Sequence, residues 1–118
     1  MSLRNYIVGE NLGMCYVLDD ETGVWFMFAD VLANIGLFVN VMDVYYKLPG
    51  EQKQVKKCTL NNGDTGEFTF IHEEGMYELM KANKSFRMEE FKRWFRDTME
   101  TTKGAGKLVE DRFDSWEK

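Results

Sequence analysis

At 118 residues, with 44% hydrophobic and 14% aromatic content, the chain has the apolar mass for one folded core and little length to spare for a second. That composition excludes a disordered segment, no apolar run approaches the roughly 20 residues of a membrane span, and the opening Met1-Ser2-Leu3-Arg4-Asn5 lacks the apolar stretch of a signal peptide. A net charge of −5 weighs against a simple phosphate-binding surface, and the two lone cysteines, Cys15 and Cys58, fit free buried thiols in a reducing compartment.

In chain order, Met14 to Leu18 and Val24 to Met27 flank the polar run Asp19-Asp20-Glu21-Thr22-Gly23 and predict a β-hairpin. Apolar residues fall on both faces of both strands, so helices are expected on at least one side, with the other partly sheltered. Phe28, Val31, Leu32 and Ile35 then fall at helical spacing, predicting a helix from about Ala29 to Ile35 that Gly36 ends in a left-handed conformation. After Leu37-Phe38-Val39, Asn40 is placed as the N-cap of a second helix running through Tyr46, stopped by Pro49-Gly50. Val55 to Leu60 and Glu67 to Ile71, joined by the turn-rich Asn61 to Gly66, predict a second hairpin. His72 follows at the junction to a third helix, about Glu73 to Ala82, whose two leading carboxylates suit a helix N-terminus. The fourth helix, about Arg87 to Thr101, sets Met88, Phe91, Trp94 or Phe95, and Thr98 or Met99 against a charged side. Gly104 and Gly106 interrupt it, and the tail from Leu108 makes a last turn or two with Val109, Phe113 and Trp116 inward. The expectation is one α+β domain spanning 1–118: two β-hairpins packed with about four short helices, a core at about 14–107, and a tail at 108–118.

Chemistry-bearing motifs are sparse. A nucleophile, base and orienting group are not recognisable around the single histidine, His72, which reads as a capping or surface residue. Cys15, Cys58 and His72 are too scattered for a metal motif. Lys103-Gly104-Ala105-Gly106-Lys107 follows a helix where a phosphate loop would precede one. Asp30, at the start of the first helix, is read as structural, by capping or dipole interaction. The aromatics of Trp25-Phe26-x-Phe28 and of the fourth helix are read as core. No enzyme and no cofactor are expected.

Charge is unevenly spread. Residues 1–43 and 59–80 each sum to −5, whereas 44–58 sum to +3 and 81–107 to +4. Lys92 and Arg96 lie one helical turn apart with Arg93 beside them, and Lys103 and Lys107 extend the patch. Lys53, Lys56 and Lys57 make a second strip on the hairpin. These eight cations are the candidate phosphate contacts, set against a solvated face on which they pair with carboxylates.

Three blocks resemble the BRO-N family, the N-terminal domain of baculovirus repeated-ORF proteins also found in phage antirepressor-like proteins. The first runs from Trp25-Phe26-Met27-Phe28-Ala29-Asp30-Val31-Leu32 to Ile35-Gly36-Leu37, similar to the family's aromatic strand and Asp-Val helix. The second, Phe70-Ile71-His72-Glu73-Glu74-Gly75-Met76-Tyr77-Glu78-Leu79, is similar to its "FI-x-E-x-G-x-Y-x-L" signature. The third, Phe91-Lys92-Arg93-Trp94-Phe95, is similar to its "F-K-x-W-V" helix. The family's proline and basic ending are replaced here by Met99-Glu100-Thr101-Thr102-Lys103-Gly104. The resemblance implies a non-enzymatic viral or phage regulator that binds DNA or RNA, acts in the cytoplasm or nucleus of an infected cell, and is not secreted. The competing expectation is a protein-interaction module that has lost DNA binding, with a viral or host protein, or a second copy, as its partner. No membrane contact is expected.

Overall fold

The computed structural model describes residues 2–9, 12–36, 39–83 and 87–117. A single antiparallel sheet of five strands, in the order β1-β2-β3-β5-β4, forms its frame: β1 Ser2–Ile7, β2 Met14–Asp20, β3 Gly23–Met27, β4 Lys53–Thr59 and β5 Thr65–His72. Five α-helices accompany it: α1 Phe28–Ile35, α2 Val39–Lys47, α3 Glu73–Ala82, α4 Met88–Lys103 and α5 Gly106–Asp114. The two expected hairpins, β2–β3 and β4–β5, are joined side by side through β3 and β5, with Phe26 opposite Ile71. The α+β class therefore stands.

Several expectations are corrected. The first strand, β1, lies in a segment to which no structure had been assigned, and it pairs with β2 from Ser2↔Asp19 to Ile7↔Met14. The tail makes a full fifth helix and a closing 3-10 turn, with Val109 and Phe113 buried, so there are five helices in place of about four. Gly106 opens that helix instead of interrupting the chain. Asn40 lies inside α2, which already runs from Val39, so it is not the N-cap. Leu37 and Phe38 lie outside the described residues. Gly36 does end α1, but with φ 94° and ψ 153°, an extended form open to glycine and not the left-handed helical one.

Side chains alternate across a strand, so each strand supplies two cores. On one face Cys15, Val17, Val24, Phe26 and Ile71 meet the helices, and the Phe26 ring packs 5.1 Å from Phe95 and 5.8 Å from Trp94. α4 supplies the largest stripe, burying Met88, Phe91, Trp94, Phe95, Thr98 and Met99 at helical spacing. On the opposite face Leu18, Trp25, Met27 and Phe70 are buried with no helix among the described residues packed on them, sheltered by Leu3, Tyr16, Cys58, Leu60 and Phe68. The sheet curls to do this: at the β4–β5 turn the Asn61 N–H donates to the Tyr16 hydroxyl on β2 at 3.0 Å.

Asn34 ties α1 to the start of β2. Its Oδ1 accepts the Gly13 N–H at 2.7 Å, and its Nδ2 donates to the Met14 and Asp30 carbonyls. Asp30 stands in the first turn of α1, after the N-cap Met27, and its carboxylate accepts the Tyr16 N–H at 2.9 Å. Burial raises the Asp30 carboxyl above its ordinary 3.8, against the Tyr16 hydrogen bond, and its charge joins burial in pushing up the Cys15 thiol.

Two outcomes follow from this packing. Phe91 is wholly buried, so Phe91→Ala is expected to destabilise the fold by about 3–5 kcal/mol, read as a fall in denaturant midpoint. For Asp30 the raised folded pKa means that the neutral form is favoured by folding. Its contribution is full below 3.8 and lost as pH rises through the folded value. Asp30→Asn, which keeps an acceptor for Tyr16, is therefore expected to melt at or above the wild-type temperature at pH 7, the difference closing as the pH falls below 3.8. A clear loss of stability at pH 7 would show that the charge itself is required.

Candidate nucleic-acid interface

α4 projects Lys92, Arg93 and Arg96 toward α5, and the three line a cleft of about 270 Å³ together with Glu89, Glu110, Phe113 and Asp114. Three cations thus face three carboxylates. Lys92 Nζ is 3.6 Å from Glu89 and lies 4.9 Å above the Phe113 ring and 5.5 Å from the Trp116 ring, so its stem is packed and only part of it reaches solvent. Arg96 donates to Glu110 at 2.8 Å and to Asp97 at 3.1 Å. Those two acids hold its guanidinium protonated beyond its ordinary range. Arg93 is exposed and has no carboxylate partner among the described residues.

The expected extension of this patch is not formed. Lys103 turns from α4 to the buried Glu73, at 3.1 Å from both carboxylate oxygens. Lys107 pairs within α5 with Asp111 at 2.8 Å, which raises its amine above the ordinary value. On the hairpin the strip is split by strand alternation, because Lys56 projects to the opposite face from Lys53 and Lys57. Lys56 sits 3.5 Å from Asp20 and 4.1 Å over the Trp25 ring. Asp20 is opposed by burial, but its hydrogen bonds from Thr22, together with Lys56, hold its carboxyl below the ordinary value. Lys53 donates to the Tyr45 and Tyr46 carbonyls at 2.9 and 3.0 Å, satisfying carbonyls near the end of α2. Lys57 is exposed and without a carboxylate partner among the described residues.

The His72 reading is borne out. Its Nδ1 accepts the Glu74 N–H at 3.2 Å, capping α3, and its Nε2 donates to the Thr22 carbonyl at 2.9 Å. Both ring nitrogens are thus engaged within the fold. Among the described residues no group of three or more His, Cys, Asp or Glu side chains is placed to hold a metal ion. No helix of the described residues is long and apolar enough to cross a membrane.

Two residues carry more of this surface than the sequence reading assigned them. Arg112 stacks 3.9 Å from the Tyr77 ring and pairs with Glu74 at 3.2 Å. Burial pushes the Tyr77 phenol up to about 12, against the lowering effect of the Arg112 charge and with smaller contributions from Glu74 and Glu73. Glu73, read as a helix-start acid, is 7% exposed and accepts the Val24 N–H at 3.1 Å as well as Lys103. Neither contact has a local sequence signal, since the pairs lie 38 and 30 to 49 positions apart. Comparison with known proteins finds no matching family, no matching curated protein and no matching solved structure.

Proposed function

We propose that this domain is a non-enzymatic regulatory module of BRO-N type from a DNA virus or phage, and that it works in the infected cell mainly through protein contacts. The observation that carries this reading is the use of its cations. Of the eight candidate phosphate contacts, Lys56, Lys92, Arg96, Lys103 and Lys107 each meet a carboxylate, and Lys53 is bonded to two carbonyls. A phosphate entering the α4–α5 cleft would face Glu89, Glu110 and Asp114 as well as the bases. With a net charge of −5 the long-range field also opposes a polyanion. The three sequence blocks support the family, and the missing basic ending supports a protein partner within it.

Arg93 favours the second reading, weak nucleic-acid binding through phosphates. It is exposed and lies between Lys92 and Arg96 in the cleft, and the ion pairs beside it are at the surface, where solvent screens them, so a phosphate can displace them.

A titration of labelled duplex DNA, single-stranded DNA and RNA across a salt series separates the two. With Arg93 and Lys57 as the unpaired candidates, the protein-module reading expects no binding at physiological salt. Any low-salt binding should have a logarithmic salt slope no steeper than about −2, near −0.9 per phosphate neutralised. A steeper slope that flattens by about one unit for each of Lys92→Ala, Arg93→Ala and Arg96→Ala would establish the nucleic-acid reading instead.

A further inference from the structure

Among the described residues the sheet has two open edges, β1 and β4, and they differ. In β1 the direction of the backbone can be followed from its end, where the Val8 N–H donates to the Gly13 carbonyl at 3.0 Å. Bonded and non-bonded pairs alternate along an antiparallel ladder. Arg4 and Tyr6 therefore turn their backbone groups to β2, and Leu3, Asn5 and Ile7 turn theirs to the open edge. The same strand holds both buried side-chain polar atoms that lack a partner among the described residues, Asn5 Oδ1 and the Tyr6 hydroxyl. At its end Ile7 is 73% exposed and its cross-strand neighbour Met14 45% exposed, which makes an apolar pair on the surface. Arg4 is the single charged residue of β1.

The other edge, β4, is protected. Its outward residues include Lys53 and Lys57, with Lys56 between them, and like charges opposed across a strand pair are destabilising. Two β4 strands brought together would set these lysines against one another.

We propose that two copies of this chain join β1 to β1, antiparallel about a twofold axis at Asn5, into one ten-stranded sheet. In that register every outward backbone group of β1 meets another. Leu3 lies opposite the partner's Ile7, so the exposed isoleucines gain apolar neighbours. The two Asn5 amides face each other across the axis, where each oxygen can accept from the partner's amide after a side-chain rotation. Arg4 lies opposite the partner's Tyr6, on the face where the Tyr6 ring packs 6.3 Å from Trp94. There it enters a groove of about 670 Å³ that carries Glu90 and Asp97 against Arg93 alone. Shape, hydrogen bonding and charge thus select a second copy for this edge. The inference stands apart from the choice between protein and nucleic-acid partners, since it concerns neither α4–α5 nor β4.

Sedimentation equilibrium of the full chain over a concentration series tests it. A concentration-dependent rise from 13.9 kDa to about twice that mass is expected. Asn5→Pro removes an N–H that points to the open edge and leaves the β1–β2 ladder intact, and Ile7→Lys replaces an exposed side chain with a charge. Each should weaken association at least about tenfold with the circular dichroism spectrum unchanged, whereas Val55→Lys on β4 should leave it as it was. Should Asn5→Pro fail to fold, Ile7→Lys decides alone. A wild-type chain that stays at 13.9 kDa throughout, a dimer that survives Ile7→Lys, or open-ended growth from β1 to β4 pairing would each overturn the proposal.

Discussion

Glu73 is the residue around which this fold is organised. A carboxylate at 7% exposure is tolerated only where hydrogen bonds and an opposite charge replace its water. Here the Val24 N–H of β3 and the Lys103 amine at the end of α4 supply them, so the first hairpin, the start of α3 and the last turn of α4 must arrive together. The constraint reaches the backbone as well. Gly23 holds φ 134°, and a Cβ there would come within 2.6 Å of the Glu73 carboxylate and 2.5 Å of His72 Nε2. His72 then fastens the same corner from the other side by its bond to the Thr22 carbonyl and its edge contact with Trp25, 4.9 Å between rings.

The functional consequence comes from the same demand. Lys103 extends the basic patch in the sequence, yet in the fold it serves Glu73. Arg96 serves Glu110 and joins α4 to α5, Arg112 joins α5 to α3, and Lys56 lies across Trp25 beside Asp20. Six of the eight candidate phosphate contacts are thus engaged within the fold, and what those candidates leave for a polyanion is correspondingly small. The surface that stands open is of another kind: a strand edge with satisfied geometry for a further strand, and a charge-balanced cleft between two helices.

Much of the architecture was legible because it rests on periodicity. The α3 boundaries and the burial of Phe91, Phe95 and Met99 on α4 follow from apolar spacing, and both hairpins follow from their turn residues. β1 was not legible. Leu3, Asn5 and Ile7 on one face and Arg4 and Tyr6 on the other mix polar and apolar residues on both, as an edge strand between a helical core and a curled second face permits. The eight candidate cations were legible as charges, but their partners were not. Asn34 with Gly13, Lys103 with Glu73, and Arg112 with Glu74 are joined across 21, 30 and 38 positions, and only the completed fold brings them together.

The central claim is that these cations belong to the fold before they belong to any ligand, and a double-mutant cycle on Glu73 and Lys103 measures it directly. Denaturant unfolding of wild type, Glu73→Gln, Lys103→Met and the double variant is expected to give a coupling of about 1–3 kcal/mol, above the range of an exposed surface pair because one partner is buried and doubly bonded. A coupling indistinguishable from zero would contradict the account, returning Lys103 to the solvent and to whatever polyanion it can reach.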